Sequence, residues 1–299
     1  MWMMARQTGL ERYARRLRGK DQRIIVFHTA NHGLSAARNY ALDRANGEFI
    51  AFLDSDDWLE KDAVQRFLDA AILSDADIVA CRFYREYVNK TEESPGQKEQ
   101  FIADGDEILK TVILEHKISN DAWNKFYKAG LFDSVRYPEG RIFEDYATTY
   151  KLLQKAEKLA YIPDCLIHYR NRENSLSNIH SMKSLVDYWR VYRERFENLG
   201  RLSDDYYRVT LSDCIGAVSR MWRWYAGCSR EERQAAGQWL DEMQTFVKEH
   251  SREIKNGSYS RHIKATCLYA GNRSPALFSL LYFMNKLYRC SNRHQYFAQ

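Results

Sequence analysis

The feature that most constrains this chain is an apolar run, Phe49-Ile50-Ala51-Phe52-Leu53, that stops abruptly at Asp54-Ser55-Asp56-Asp57. A short apolar run opened by Gly47 and closed by carboxylates predicts a buried strand that delivers an acidic turn at its C-terminal end. In open α/β sheets, ligands gather outside the carboxyl ends of the strands. Three carboxylates so close together repel one another. Either a hard cation such as Mg²⁺ or Mn²⁺ neutralises them, or they cap a helix that begins near Trp58.

The surrounding pattern fits an α/β layout around a sheet. Residues 23–27 form a β-branched run that predicts a second buried strand, and residues 78–83 a third. Ser35 is placed to cap a helix bearing Ala37, Ala41 and Ala45. Leu59, Ala63, Phe67 and Ala70 predict the next helix, residues 89–100 a surface loop, and residues 106–115 and 144–153 further helices. Two short strands are predicted at 159–162 and 166–169. After about Ser181 the strand signals stop, and 187–197, 206–225 and 231–250 read as helices. The expected division is therefore a mixed α/β region over 1–180 and a helical region over 181–299.

Composition narrows the class. With 45% hydrophobic and 28% charged residues, the 299-residue chain resembles an ordinary globular protein. Its 20 Tyr and 7 Trp suit either sugar binding or a helical core. Six cysteines lack the close pairing of a zinc or redox motif, and residues 1–8 lack a secretory apolar stretch. Free thiols in the cytoplasm are the expectation. The net charge of +5 is uneven, because residues 252–299 hold eight basic side chains against one acidic. An apolar stretch at 277–284 followed by Lys286, Arg289 and Arg293 is too short to span a bilayer. It reads either as a helix packed on the chain or as a contact with an anionic membrane surface. No nucleic-acid motif accompanies the basic tail, and no nucleic-acid partner is expected.

Asn31-His32-Gly33-Leu34-Ser35-Ala36-Ala37-Arg38-Asn39, followed by Leu53-Asp54-Ser55-Asp56-Asp57, resembles the family 2 glycosyltransferases. Trp123-Asn124-Lys125-Phe126-Tyr127, Tyr137-Pro138-Glu139-Gly140 and Phe143-Glu144-Asp145 extend the likeness to capsule- and lipopolysaccharide-type members. His168-Tyr169-Arg170-Asn171-Arg172 is similar to the segment that closes their catalytic domain. The resemblance implies a GT-A-like mixed sheet with helices on both faces, a nucleotide-diphosphate sugar donor, a divalent metal and inversion at the anomeric carbon. It places Asp56 on the metal, Asp54 on the nucleotide ribose or the metal, and His168 in the metal shell or on a phosphate. Arg38, Asp57, Lys125, Trp123 and Arg170 join Asp54 and Asp56 in binding the nucleotide-sugar. Asp145, or Glu144 beside it, becomes the general base, although both also read as helix-start carboxylates.

The implied acceptor is a glycan or lipid-linked chain of surface polysaccharide assembly, reached from the inner face of the cell membrane. Relatives open with a further βαβ unit, on the order of 30 residues, that this sequence does not show. The competing expectation is a non-catalytic remnant that binds a glycan or a partner protein.

Overall fold

The computed structural model describes residues 2–4, 9–172, 181–259 and 264. The chain forms two compact units, Met1–Ser177 and Asn178–Gln299. The apolar and basic stretch at 277–293, and the end of the His168 motif at 173–175, lie outside the described residues.

The first unit runs β1 (Trp2–Met4), α1 (Gly9–Lys20), β2 (Ile25–Phe27), α2 (Gly33–Leu42), β3 (Phe49–Ala51), β4 (Trp58–Leu59) and α3 (Ala63–Ser74). It continues with β5 (Ile78–Glu86), β6 (Thr91–Glu93), β7 (Phe101–Asp104), α4 (Asp106–Ile113), β8 (Lys125–Lys128), α5 (Glu144–Lys155) and β9 (Lys158–Arg170). Seven strands make one mixed sheet in the order β3-β8-β5-β9-β4, with β6 beside β5 and β7 beside β9. β5 and β9 pair in parallel, and the other pairs of this sheet are antiparallel. β1 and β2 form a separate two-stranded parallel sheet.

Central strands of a parallel pair are covered on both faces and read as continuous apolar runs. Ile78, Val79 and Ala80 of β5 and Leu159 of β9 are wholly buried. Phe67 and Ala71 of α3 close one face, packing with Val79, Cys81, Phe126 and Leu166. Each fully buried aliphatic side chain of this kind contributes about 1.5–3 kcal/mol.

Several expectations change here. Residues 159–162 and 166–169 are parts of the single strand β9, whose register against β5 shifts so that Cys81 faces Ile162 and Arg82 faces Cys165. Pro163 falls in that irregularity, where its missing N–H costs no ladder bond. Trp58 and Leu59 form a strand and the helix starts at Ala63, so the acidic turn does not cap a helix. The segment expected as a surface loop contains the edge strand β6. Ser35 lies inside α2, which begins at Gly33, and its buried hydroxyl has no partner.

The two strands expected to be buried, β2 and β3, are only partly covered. Ile25 is 43% exposed, and Leu53, just past β3, is 45% exposed. Burial depends on neighbouring elements as much as on composition. Among the described residues β3 is bonded to β8 alone, while β2 is bonded to β1 alone.

The second unit consists of α6 (Met182–Leu199), α7 (Asp204–Gly227), α8 (Arg230–Ala235), α9 (Gly237–Glu249) and α10 (Ser251–Asn256). The single helix expected over 231–250 is divided at Ala236 into α8 and α9. Side-chain oxygens of Ser181, Ser203 and Ser229 cap the starts of α6, α7 and α8. Trp189, Val218, Met221, Met243 and Phe246 fill its core. A hollow of about 550 Å³ lined by Arg193, Phe196, Tyr207 and His250, among others, shares no residue with the site described below. Among the described residues, no helix is long and apolar enough to cross a membrane, and Cys81, Cys165, Cys214 and Cys228 are free thiols.

Candidate functional site

The site is assembled around one guanidinium. Arg38 sits on α2 and is 6% exposed. It donates from Nη1 to Glu144 Oε1 at 2.7 Å and from Nη2 to Asp54 Oδ1 at 3.3 Å. Its Cζ lies 5.4 Å from the centre of the Phe52 ring and 5.2 Å from that of Tyr137. Aromatic walls and two carboxylates make this a desolvated, charge-compensated position for an arginine. One buried cation thus joins the acidic turn after β3 to the first residue of α5.

The acidic turn is closed by Asp57 N–H donating to Asp54 C=O at 3.0 Å. Asp57 Oδ1 accepts from the Arg170 backbone N–H at 2.9 Å, which pins the turn to the end of β9. Asp57 Oδ2 is buried without a partner. Burial, opposed by that hydrogen bond, and the neighbouring Asp54 and Asp56 push this carboxyl up to about 7. Asp56 faces the Arg172 guanidinium at 3.2 Å. The Arg170 guanidinium lies 5.4 Å from the centre of the Trp58 ring.

α5 presents Glu144 and Asp145 in its first turn. The preceding residue, Phe143, has φ 64°, in the left-handed region, and Gly140 has φ 73°. A phenylalanine there is strained, whereas glycine accepts the conformation freely. The loop is tied to α2 by Asn39, whose side-chain amide donates to Tyr137 C=O at 2.8 Å and accepts from Tyr137 N–H at 2.9 Å. Burial pushes the Asp145 carboxyl up to about 8, reinforced by Glu144 and Asp121 and opposed by Arg38. The Tyr137 hydroxyl is buried without a partner, and burial raises its ionisation above the usual tyrosine value.

The structure therefore brings together Arg38, Asp54, Glu144 and, beside Glu144 in the first turn of α5, Asp145, with Asp56 and Asp57 in the acidic turn and Arg170 next to it at the end of β9. Three other expected residues are engaged elsewhere. Lys125 is wholly buried, and its Nζ donates to Ser119 C=O at 2.7 Å, Asp121 C=O at 2.5 Å and Asn124 Oδ1 at 2.7 Å. Those bonds use all three of its donors and leave none for a diphosphate. Trp123 is a core residue, stacked on Tyr169 with ring centres 5.2 Å apart and packed edge-on to Phe83. It offers no free face to a sugar.

His168 does not fit a metal. Its Nδ1 meets Glu86 Oε1 at 2.7 Å and its Nε2 meets Glu60 Oε1 at 3.0 Å. Its ring is stacked between Trp58 and Tyr84, each centred 4.8 Å away. Burial opposes ionisation, but the two carboxylates outweigh it and the imidazole is held above its usual value. A ring so clamped has no nitrogen lone pair to give, and it fastens β4 to β5 and β9.

Among the described residues, no three His, Cys, Asp or Glu side chains converge as a ready-made metal cage. The acidic turn nonetheless fits Mg²⁺ or Mn²⁺. Such ions are commonly held by one or two carboxylates with substrate phosphates and waters completing the shell. Asp54 and Asp56 supply that kind of donor. Sequence reasoning missed Asn39 and Tyr137, which hold the loop and wall the guanidinium. Asn39 is the last residue of the motif that contains Arg38, so its position was visible although its bonds were not.

The sequence model described as Glycosyl transferase family 2 matches residues 7–135. Glycosyltransferase GlyA of Streptococcus pneumoniae is 32% identical over 181 residues, covering 56% of this chain and 26% of GlyA. The putative teichuronic acid biosynthesis glycosyltransferase TuaG of Bacillus subtilis is 29% identical over 175 residues, 58% of this chain and 67% of TuaG. The chain spans about a quarter of the length of GlyA and about half that of the putative glycosyltransferase EpsH of Bacillus subtilis, another relative it matches. The crystal structure of S. aureus TarS 1-349 in complex with UDP-GlcNAc is similar with a TM-score of 0.71 at 17% identity, covering 96% of this chain and 82% of that 1-349 chain. Residues 7–135, with the acidic turn and Arg38 inside that span, are thus similar to glycosyl transferase family 2, and the fold is GT-A-like.

Proposed function

We propose that this chain transfers a sugar from a nucleotide-diphosphate donor to a glycan or lipid-linked acceptor of surface polysaccharide assembly, with inversion. The observation that carries the reading is the Arg38 bridge, which sets the acidic turn and the Glu144-Asp145 pair around one buried cation. Donor handling and proton removal are the two tasks of an inverting transfer, and the bridge couples the residues suited to each.

In this reading Asp54 and Asp56 hold Mg²⁺ or Mn²⁺, which when bound neutralises charge on the leaving diphosphate. Asp57 shapes the turn through its bond to the Arg170 amide, and Arg170 reaches toward the diphosphate from the end of β9. Asp145 is the general base. It takes the proton from the acceptor hydroxyl as that oxygen attacks the anomeric carbon and the bond to the diphosphate breaks. Its raised ionisation makes it a stronger base than an ordinary carboxylate, and Glu144 is held on Arg38 and leaves that task to Asp145. TarS was crystallised with UDP-GlcNAc and UDP, so uridine donors come first, and TuaG is named for teichuronic acid biosynthesis. We place the protein in the cytoplasm, working at the inner face of the membrane.

Titration calorimetry with UDP and GDP, with and without Mn²⁺, tests the donor half. Binding that requires metal and disappears in Asp56→Ala supports the reading. A folded chain that binds neither nucleotide removes it in favour of a non-catalytic role, to which the partly uncovered β2 and β3 lend weight.

A further inference from the structure

The outward face of α1 carries an arrangement of charge that the candidate site does not use. Gly9–Lys20 contains Arg12, Arg15, Arg16, Arg18 and Lys20 against a single acidic residue, Glu11. Ala14 is fully buried and Leu17 half-buried, so the helix packs through that side. Tyr13, Arg15, Arg16, Arg18 and Lys20 are exposed. Tyr13, Arg16 and Lys20 are spaced three and then four residues apart, which lines them along one side of the helix.

Like charges at that spacing oppose helix formation, and neighbouring carboxylates usually relieve them. Elsewhere on this unit Lys90, Lys110, Lys117, Lys128 and Arg136 each face an acidic side chain. Arg16, Arg18 and Lys20 form no ion pair with any described residue. Arg23, just beyond the helix, is the contrasting case, since Asp21 neutralises it at 2.7 Å. Unpaired cations, Arg16 and Lys20 on one flank and Arg18 on the other, spread over the exposed side of one helix and suit a partner that brings its own negative charge.

We propose that the outer face of α1 docks this chain on an anionic phospholipid surface. Arginine forks match phosphate oxygens in pairs, and the helix holds them at fixed spacing. A polyanion in water offers the same phosphate chemistry. Tyr13 favours the bilayer, because it is 54% exposed among the cations. Its apolar ring and polar tip suit the boundary between headgroups and acyl chains. The apolar side of α1 is occupied by its own protein, so the contact is superficial, electrostatic and sensitive to salt. The inference stands apart from the transferase reading and survives or fails without it.

Co-sedimentation of the full chain with phosphatidylcholine vesicles, and with vesicles containing one quarter phosphatidylglycerol, is the test. Binding at least tenfold stronger to the anionic vesicles, and lost in 0.5 M salt, is expected. Each cation near such a surface strengthens binding by about fivefold, so the triple variant Arg16→Gln, Arg18→Gln, Lys20→Gln should bind about a hundredfold more weakly. Its circular dichroism melt should match the parent. A variant with Arg16→Lys and Arg18→Lys, which keeps the charge, should retain binding within a few fold. Equal binding to both vesicle types overturns the proposal. So does undiminished binding of the triple variant, which would assign the contact to another basic segment. Binding of soluble polyphosphate without binding to anionic vesicles also overturns it and assigns the face to a dissolved polyanion.

Discussion

The β5–β9 pair and the margin formed by β2, β3 and the acidic turn belong to the same unit but are covered very differently. Ile78, Val79 and Leu159 are wholly buried, whereas Ile25 and Leu53 are 43% and 45% exposed. The central pair is held by apolar packing. The margin keeps the β3–β8 ladder and the packing of Phe49 and Phe52, and adds directional polar bonds from Arg38 to Asp54 and Glu144, Asn39 to Tyr137, and Asp57 to the Arg170 amide. Stability and chemistry are thus assigned to separate places. A partly exposed margin is also where local opening requires less free energy than in the buried pair.

The sharpest test of that division is Asp145→Asn. We expect the transfer rate to fall by about 10²–10⁴, as for loss of a general base, in a sugar-transfer assay. In the parent the rate should rise with pH through about 8, since Asp145 must lose its proton to act. Stability should move oppositely. The folded-state value of this carboxyl is raised, so its contribution is fully present below about pH 4 and lost as pH climbs toward 8. The Asp145→Asn variant should lack that slope and melt higher than the parent above pH 8, as thermal scans across pH would show.

Arg38→Met breaks the comparison if the margin is as dependent on one cation as its geometry implies. Leaving Glu144 buried without its partner should cost about 3–5 kcal/mol in urea unfolding. A loss under about 1 kcal/mol would mean that packing supports the margin after all. Ile78→Ala, in the central pair, should cost about 2–5 kcal/mol through lost burial and an unfilled cavity. Leu53→Ala is the smallest effect, at most about 1 kcal/mol, because half of that side chain already meets water. Similar values for Ile78 and Leu53 would erase the distinction between the two regions.

The acidic turn after an apolar run was legible from local pattern alone. Arg38 and the Glu144-Asp145 pair were legible only through their resemblance to family 2 glycosyltransferases, since by themselves they read as an exposed helix arginine and helix-start carboxylates. Lys125, Trp123 and His168 could not be assigned this way, because their partners come from remote segments or from carbonyls. Nothing in the letters around Lys125 says that Ser119 and Asp121 turn their C=O groups toward its amine. His168 meets Glu60 and Glu86 only because β4 and β5 flank β9. The coverage of β2 and β3 was misread for the same reason, since a strand's own composition does not reveal how many neighbours it has.

Lys125 has a practical use beyond its structural one. Burial lowers its ammonium to about 8 while Ser119, Asp121 and Asn124 enclose it. No reagent reaches it while the loop around it is closed. Its acylation rate, followed by mass spectrometry of the 119–128 peptide, should therefore report how often that loop opens. The lysine is a built-in clock for breathing beside the site, readable without any introduced label.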